Sequence, residues 1–306
     1  LEKRLEKFQE IRSDHFDVWT DTREVLENAK RQAAASKLSD YVVVDIDSHH
    51  TEATSWTEVV EFIEDPVLRH EAINYHRVKP KGAPPFGTNN MLAYHQEVAG
   101  RIPHQAGRRE ATDAEDPDAH RDVILQQRAM ECLGIDYMVL FPEQMLALGM
   151  HPQIEMEVQL AQAYNSWMVE RVLPGDDRLK SLLYLPFNDP EAALRTVEEF
   201  SEKKGVIGFI ITTTRDNGVH ENKYMKLYAA LEERGLPLGF HGNYYWLNPS
   251  LAKLNRFIGV HSLGFVFWSL IHMTNWIING LPERFPKLNV IWIESGLSWV
   301  PFLMQR

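Results

Sequence analysis

Apolar residues follow two different rhythms along this chain, and the change falls near residue 40. Leu1, Leu5, Phe8 and Ile11 recur at helical spacing with Glu and Lys between them, and about Asp21 to Ala35 is also helical in pattern. These positions predict a helical arm over residues 1–40, outside the main domain. Such an arm is marginal alone in water, so it needs an apolar surface, on its own domain or on a second subunit. Tyr41 to Asp45 then reads as a buried strand. Residues 51–119 lose all periodicity and carry Pro and Gly clusters, "KPKGAPPFG" and "GRIPHQAG". So long an irregular stretch suggests functional loops or a lid.

From His120 a regular alternation begins. Helix is expected over "HRDVILQQRAMECLG", "QIEMEVQLAQAYNSWMVERVL", "NDPEAALRTVEEFSEKKG", "ENKYMKLYAALEERG" and "VFWSLIHMTNWIING". Strand is expected over "DYMVLF", "LKSLLYLP", "VIGFIITT", "LPLGFH" and "LNVIWIES". Strand and helix in alternation imply parallel strands joined by helical crossovers. A (β/α)₈ TIM-barrel-like fold and an open doubly wound sheet both satisfy that pattern, but no GxGxxG follows the first strand. The polar residues decide for the barrel. "DIDSHH", "PE", "HGN" and "ESG" each follow an apolar strand, and the carboxyl ends of barrel strands converge on one face. That convergence brings Asp47, His49, His241 and Glu294 within reach of one another. Six strands are expected, with a weaker seventh near Phe257 to Val260. The eighth is missing from this chain, so the main domain is read as an incomplete barrel over residues 41–306.

Asp47 and His49 stand two residues apart, and residues i and i+2 of a strand share a face. They could bite one divalent ion together. Equally, Asp47 could cap a turn and His49 could be a satisfied polar residue. His241 ends "LPLGFH", and Gly242 after it lets the backbone approach a ligand closely. Two His with a carboxylate suit Zn²⁺ first, then Mn²⁺ or Fe²⁺, and the same set occurs in non-heme iron oxygenases. Tyr244, Tyr245 and Trp268 are candidate walls for a ring-bearing substrate, or core aromatics. His261 and Glu294 are candidate catalytic groups. Arg101, Arg108 and Arg109 could meet a substrate carboxylate, or be solvated loop charges.

Charge and composition narrow the function. The net charge is -11, and no Lys/Arg cluster with interleaved aromatics appears, which argues against a nucleic-acid partner. One cysteine, Cys132, excludes an internal disulfide, which suits a cytoplasmic protein; in its helical pattern it reads as a small buried apolar residue. No apolar run of about 18 residues exists to span a membrane. The charged opening "LEKRLEKFQE" lacks a signal core and starts on Leu, as a trimmed chain would.

Residues 42–306 resemble the amidohydrolase-related, metal-dependent TIM barrels, the group that includes aminocarboxymuconate semialdehyde decarboxylase and γ-resorcylate decarboxylase. "DIDSHHTE", "LGIDYMVLFP", "AYNSWM", "RLKSLLYLPFNDPEAA", "GVIGFII", "LYAALEERGLPLGFHG" and "LPERFPKLNVIWIESGLSWVPFLMQR" carry the likeness, in the family's order. The resemblance implies Asp47, His49 and His241 as metal ligands, with Asp47 in the first position as in a D-x-D-x-H subgroup. It implies that Glu294 binds the metal or contacts one of its ligands. The family's late strand-eight Asp, in a "SD-x-P" type segment, does not occur here. The expected activity is a divalent-metal-dependent hydrolase acting on a small, ring-bearing organic molecule. The alternatives are non-oxidative decarboxylation of an aromatic or related carboxylic acid, iron-dependent oxygenation, and a metal-free regulatory subunit. A homo-oligomer built through the arm is also expected.

Overall fold

The computed structural model describes residues 22–50, 52–78, 118–243, 248–255 and 257–306. Among the described residues the α-helices of six residues or more are α1 (Thr22–Ala35), α2 (Pro66–Val78), α3 (Arg121–Leu133), α4 (Ile154–Trp167), α5 (Pro190–Phe200), α6 (Met225–Arg234), α7 (Phe257–Ile278) and α8 (Trp299–Met304). The strands among the described residues are β1 (Val44–His50), β2 (Tyr137–Pro142), β3 (Leu179–Tyr184), β4 (Val206–Thr212), β5 (Leu238–His241) and β6 (Val290–Ile293). The chain divides into two compact units, residues 1–44 with 98–136 and residues 45–97 with 137–306.

In the first unit α1 packs on α3. Residues 26–35 of α1 are half-buried or exposed in this packing. His120 starts α3 by accepting the Asp122 N–H at 3.1 Å on its ring nitrogen. Gly134 ends it at φ 71°, where a Cβ would lie 3.3 Å from Leu38. Glycine suits both demands, the left-handed backbone and the close approach. Cys132 is buried, as its pattern predicts.

The second unit is built on one sheet in the order β1-β2-β3-β4-β5-β6. Strands β2 to β6 pair in parallel with their neighbours. Sequential order with helical crossovers is the start of a TIM barrel, here with six strands. Between β3 and β4, Asp189 caps α5 by accepting the Glu191 and Ala192 N–H groups at 3.0 and 2.9 Å, and Pro190 sits at the first turn. Register places Tyr184 beside Ile210, Gly239 beside Ile210, and His241 beside Thr212. Residues alternating by two share a face, so Tyr184, Thr212 and His241 point to one side of the sheet. Leu183, Phe209, Ile211 and Phe240 point to the other. There Phe240 stacks on Trp292 with ring centres 4.5 Å apart, and Trp276 of α7 closes over Phe240.

Three expectations change. Strand β1 spans Val44–His50 and not Tyr41–Asp45, with Tyr41, Val42 and Val44 exposed, so Asp47 and His49 lie inside the strand and not beyond its end. Residues 257–260, expected as a weak strand, form the first turn of the 22-residue helix α7. Its residues are apolar on nearly every side, so the local pattern lacks the polar face that marks a helix. Residues 52–78, expected to be irregular, wind into short helices and α2. Residues 51 and 79–117, including Arg101, Arg108 and Arg109, lie outside the described residues, as does the arm before Thr22.

Candidate metal centre

Asp47 and His49 project from the same face of β1, and His241 ends β5. One ligand atom from each falls in a single group. The His241 Nε2 atom lies 3.1 Å from His49 Nε2 and 3.5 Å from Asp47 Oδ1, and His49 Nε2 lies 3.4 Å from the same oxygen. The next residue along, His50, faces the opposite side. It bonds the Tyr164 hydroxyl at 2.8 Å and stacks on Tyr164 and Trp167 of α4.

Backbone carbonyls set the tautomers. His49 Nδ1 lies 3.0 Å from Pro142 O, and His241 Nδ1 lies 2.6 Å from Gly242 O. A carbonyl can only accept, so each Nδ1 carries the proton and donates it. Each Nε2 then holds a lone pair, and the two lone pairs face each other beside a carboxylate. Asp47 Oδ1 is buried with no hydrogen-bond partner among the described residues. An arrangement of two lone pairs and an orphaned anionic oxygen demands a cation.

The spacing fits a metal ion. An ion bound at ~2.1 Å sets its donors ~3.0 Å apart at right angles and ~3.4 Å apart at the tetrahedral angle. The observed 3.1, 3.4 and 3.5 Å lie in and beside that range. Nitrogen, nitrogen and carboxylate oxygen suit Zn²⁺, Mn²⁺ or Fe²⁺, and three protein ligands leave positions for water or substrate. The ring of Phe141 stands 6.0 Å from His49 and 5.9 Å from His241, an apolar wall on one side.

Without metal the same demand is met by protons. Burial works against charge on Asp47, but the His241 and His49 rings beside it outweigh burial and hold the carboxyl well below the usual range. Burial also opposes charge on His49, yet Asp47 and Glu143 outweigh it and hold the imidazolium up to about 9.

Glu294 follows β6 with its Oε2 3.8 Å from His241 Nε2. Its backbone is left-handed, φ 55°, which an L-residue adopts at a cost of about 1–2 kcal/mol. Burial pushes its carboxyl upward, against the pull of the His241 charge. Gly242 explains how β5, β6 and α7 meet here. A Cβ on it would lie 2.6 Å from Phe265 and 2.9 Å from Glu294 O. His261 packs tilted against that same Phe265 with ring centres 4.6 Å apart. It stands on a helix and not at a strand end, one ring out from the His241–Gly242 turn. Trp268 is buried and stacks on His272, whose Nε2 donates to Thr213 O at 2.7 Å; the Thr213 N–H in turn donates to His241 O at 2.8 Å. Trp268 thus backs the ligand strand. Tyr244 and Tyr245 lie outside the described residues.

Two carboxylates near the ligands escape a reading of local pattern. Glu143, just after β2, has Oε2 3.6 Å from His49 Nδ1. Glu52 is fully buried and accepts the N–H groups of Glu143 at 2.9 Å and Met145 at 2.6 Å. The polar "PE" at the end of β2 is the only sequence signal for the first of these.

A profile of the amidohydrolase family matches residues 46–306, and the chain belongs to that family. The γ-resorcylate decarboxylase of Rhizobium radiobacter is 22% identical over 203 residues, which cover 61% of this chain and 60% of that enzyme. The chain thus matches less than two thirds of the length of this curated relative. Among solved structures, 2,6-dihydroxybenzoate decarboxylase complexed with 2,6-dihydroxybenzoate shares the fold at TM-score 0.55 and 16% identity, over 87% of this chain and 69% of that one. An amidohydrolase from Mycobacterium avium subsp. paratuberculosis K-10 does so at TM-score 0.61 and 17% identity, over 87% and 75%. The 5-carboxyvanillate decarboxylase of Novosphingobium aromaticivorans, with bound manganese and 3-methoxy-4-hydroxy-5-nitrobenzoic acid, matches at TM-score 0.54 and 16% identity, over 82% and 65%.

Proposed function

We propose that this chain carries the metal site of a divalent-metal-dependent decarboxylase that removes CO₂, without oxidation, from a hydroxylated aromatic acid. The triangle of Asp47 Oδ1, His49 Nε2 and His241 Nε2, with its orphaned oxygen and facing lone pairs, carries the metal dependence. The likeness to γ-resorcylate, 2,6-dihydroxybenzoate and 5-carboxyvanillate decarboxylases supports decarboxylation ahead of the hydrolysis that the sequence puts first. Hydrolysis remains the second reading, because the family as a whole is described as amidohydrolase.

A bound divalent ion would supply charge to hold the acid's carboxylate and neighbouring hydroxyl oxygens. Asp47, His49 and His241 would hold that ion, with Mn²⁺ joining Zn²⁺ as a leading candidate because a manganese-bound enzyme shares the fold. The reaction replaces a carboxylate on a ring carbon by hydrogen. A proton adds to that carbon, the carbon–carboxylate bond breaks, and its electron pair restores the aromatic ring as CO₂ leaves. Glu294, with its Oε2 3.8 Å from His241 Nε2 and burial favouring its acid form, would hand over the proton. Phe141 keeps water from one side of the ligands.

The test uses the purified chain loaded with Mn²⁺ or Zn²⁺ and a panel of 2-hydroxybenzoates. The expected result is CO₂ release with deuterium entering the vacated ring carbon in D₂O. Cleavage of amides or lactones, with every benzoate untouched, would establish hydrolysis instead.

A further inference from the structure

We propose that Glu143, held by the buried carboxylate of Glu52, is the outer carboxylate of the metal site and strengthens metal binding through His49. The inference rests on the metal-site reading above.

The segment after β2 supplies two groups to one ring nitrogen. The Pro142 carbonyl accepts from His49 Nδ1 at 3.0 Å, and the Glu143 Oε2 atom stands 3.6 Å from the same nitrogen. Negative charge there favours the Nδ1–H tautomer and draws that proton outward. The lone pair on Nε2, on the far side of the ring, becomes a better donor to a cation. Outer partners of this kind orient metal-binding imidazoles and raise their basicity.

Something must hold the segment, since Glu143 itself is half-exposed. Glu52 does so from the turn after β1. Both its oxygens are committed, Oε2 to the Glu143 N–H and Oε1 to the Met145 N–H. A fully buried carboxylate is costly unless its hydrogen bonds are made, and here they are made to consecutive parts of one loop. Asn243, two residues past His241, adds a third tether by donating to Leu146 O at 3.0 Å. Glu52 is three residues from His49 in sequence, so one short stretch of chain carries a ligand and the clamp for that ligand's outer partner. Glu52 touches no ligand atom in these contacts; it is a positioning residue that acts through the 142–145 segment.

The experiment measures Zn²⁺ and Mn²⁺ affinity by competition with a chromophoric chelator, on the full chain, for wild type, Glu143→Gln, Glu52→Gln, the double variant and His49→Ala. Glu143→Gln keeps the shape and removes the charge, and should weaken binding tenfold or more. Glu52→Gln replaces an acceptor oxygen with a donor facing an N–H, and should weaken binding at least as much. The double variant should bind no more weakly than Glu52→Gln alone, because one residue acts through the other. Wild-type affinity in Glu143→Gln, with metal lost in His49→Ala, would overturn this inference and leave the metal site standing. Losses that simply add in the double variant would overturn the link between Glu52 and Glu143. Wild-type affinity in His49→Ala would overturn the metal-site reading itself. Melting curves of the metal-free variants separate loss of fold from loss of affinity.

Discussion

His49 and His241, 192 residues apart in sequence, turn their Nε2 atoms toward each other at 3.1 Å while each donates its Nδ1 proton to a backbone carbonyl. Two lone pairs at that distance repel unless a cation joins them. A metal bound here stabilises the folded chain by mass action, since an unfolded chain offers no such triangle. At a concentration one hundred times the Kd the gain is about 2.7 kcal/mol. Mn²⁺ or Zn²⁺ should therefore raise the melting temperature by several degrees, and the rise should vanish in His241→Ala. An equal rise in that variant would show that the ion binds elsewhere.

A second expectation concerns Glu294, whose left-handed backbone is strained for a side-chain-bearing residue. Glu294→Gly removes the strain and should stabilise the fold by about 1 kcal/mol, seen as a higher denaturation midpoint. Glu294→Gln keeps the strain and removes the acidic proton. Under the proposed chemistry both variants should lose turnover by about 100-fold or more, with a smaller change in KM. Stability gained together with activity lost is the mark of a residue held for chemistry. Full turnover in Glu294→Gln would make the residue structural.

The strand–helix alternation and the ligand-bearing strand ends are legible in the sequence because parallel strands are short apolar runs bounded by turns. The end of β1 is not. Asp is depleted in strands, so local preference stops the strand at Asp45, while pairing in the sheet carries it to His50. The start of α7 is hidden for the opposite reason. Phe257, Ile258 and Val260 favour strand, and the helix is too uniformly apolar to show its period. Glu52 and Glu143 meet across 91 residues, and no local pattern records such a distance. His241 and Glu294, by contrast, each follow a readable apolar strand and stand where the converging strand ends predict.

Gly242 should not tolerate a methyl group. A Cβ there would press Phe265 at 2.6 Å and two backbone oxygens, Glu294 O at 2.9 Å and Ile293 O at 3.2 Å. Phe265 can turn aside, but the backbone oxygens belong to β6 and the turn after it. Overpacking of this kind costs about 1–3 kcal/mol. Gly242→Ala should lower the denaturation midpoint accordingly and weaken metal binding, because the Gly242 carbonyl orients His241. An alanine variant with unchanged stability and affinity would mean that the β5–β6 junction is slack.

The last expectation concerns Arg215 and Glu157, both fully buried and both remote from the ligand atoms in bonding. The Arg215 Nε donates to Thr212 O at 2.7 Å, and its guanidinium carbon stacks 4.6 Å from the centre of the Phe187 ring. Its Nη atoms and both Glu157 oxygens are buried. Burial pushes the Glu157 carboxyl up to about 7, and the Arg215 charge is the first influence opposing that rise. A folded-state value above the ordinary 4.5 means that the folded protein binds the extra proton between those two pH values. Stability from this group is therefore greatest below about 4.5 and declines as pH rises through about 7. Arg215→Met keeps much of the volume and removes the cation. At pH 8 it leaves a buried carboxylate without its counter-charge, and should cost about 3–5 kcal/mol. At pH 5 Glu157 holds its proton, and the same variant no longer strands an anion, so the cost should be much smaller. Urea denaturation of both proteins at pH 5 and pH 8 reads the difference directly. A loss of the same size at both pH values would show that Arg215 stabilises the fold by packing on Phe187 and not by its charge.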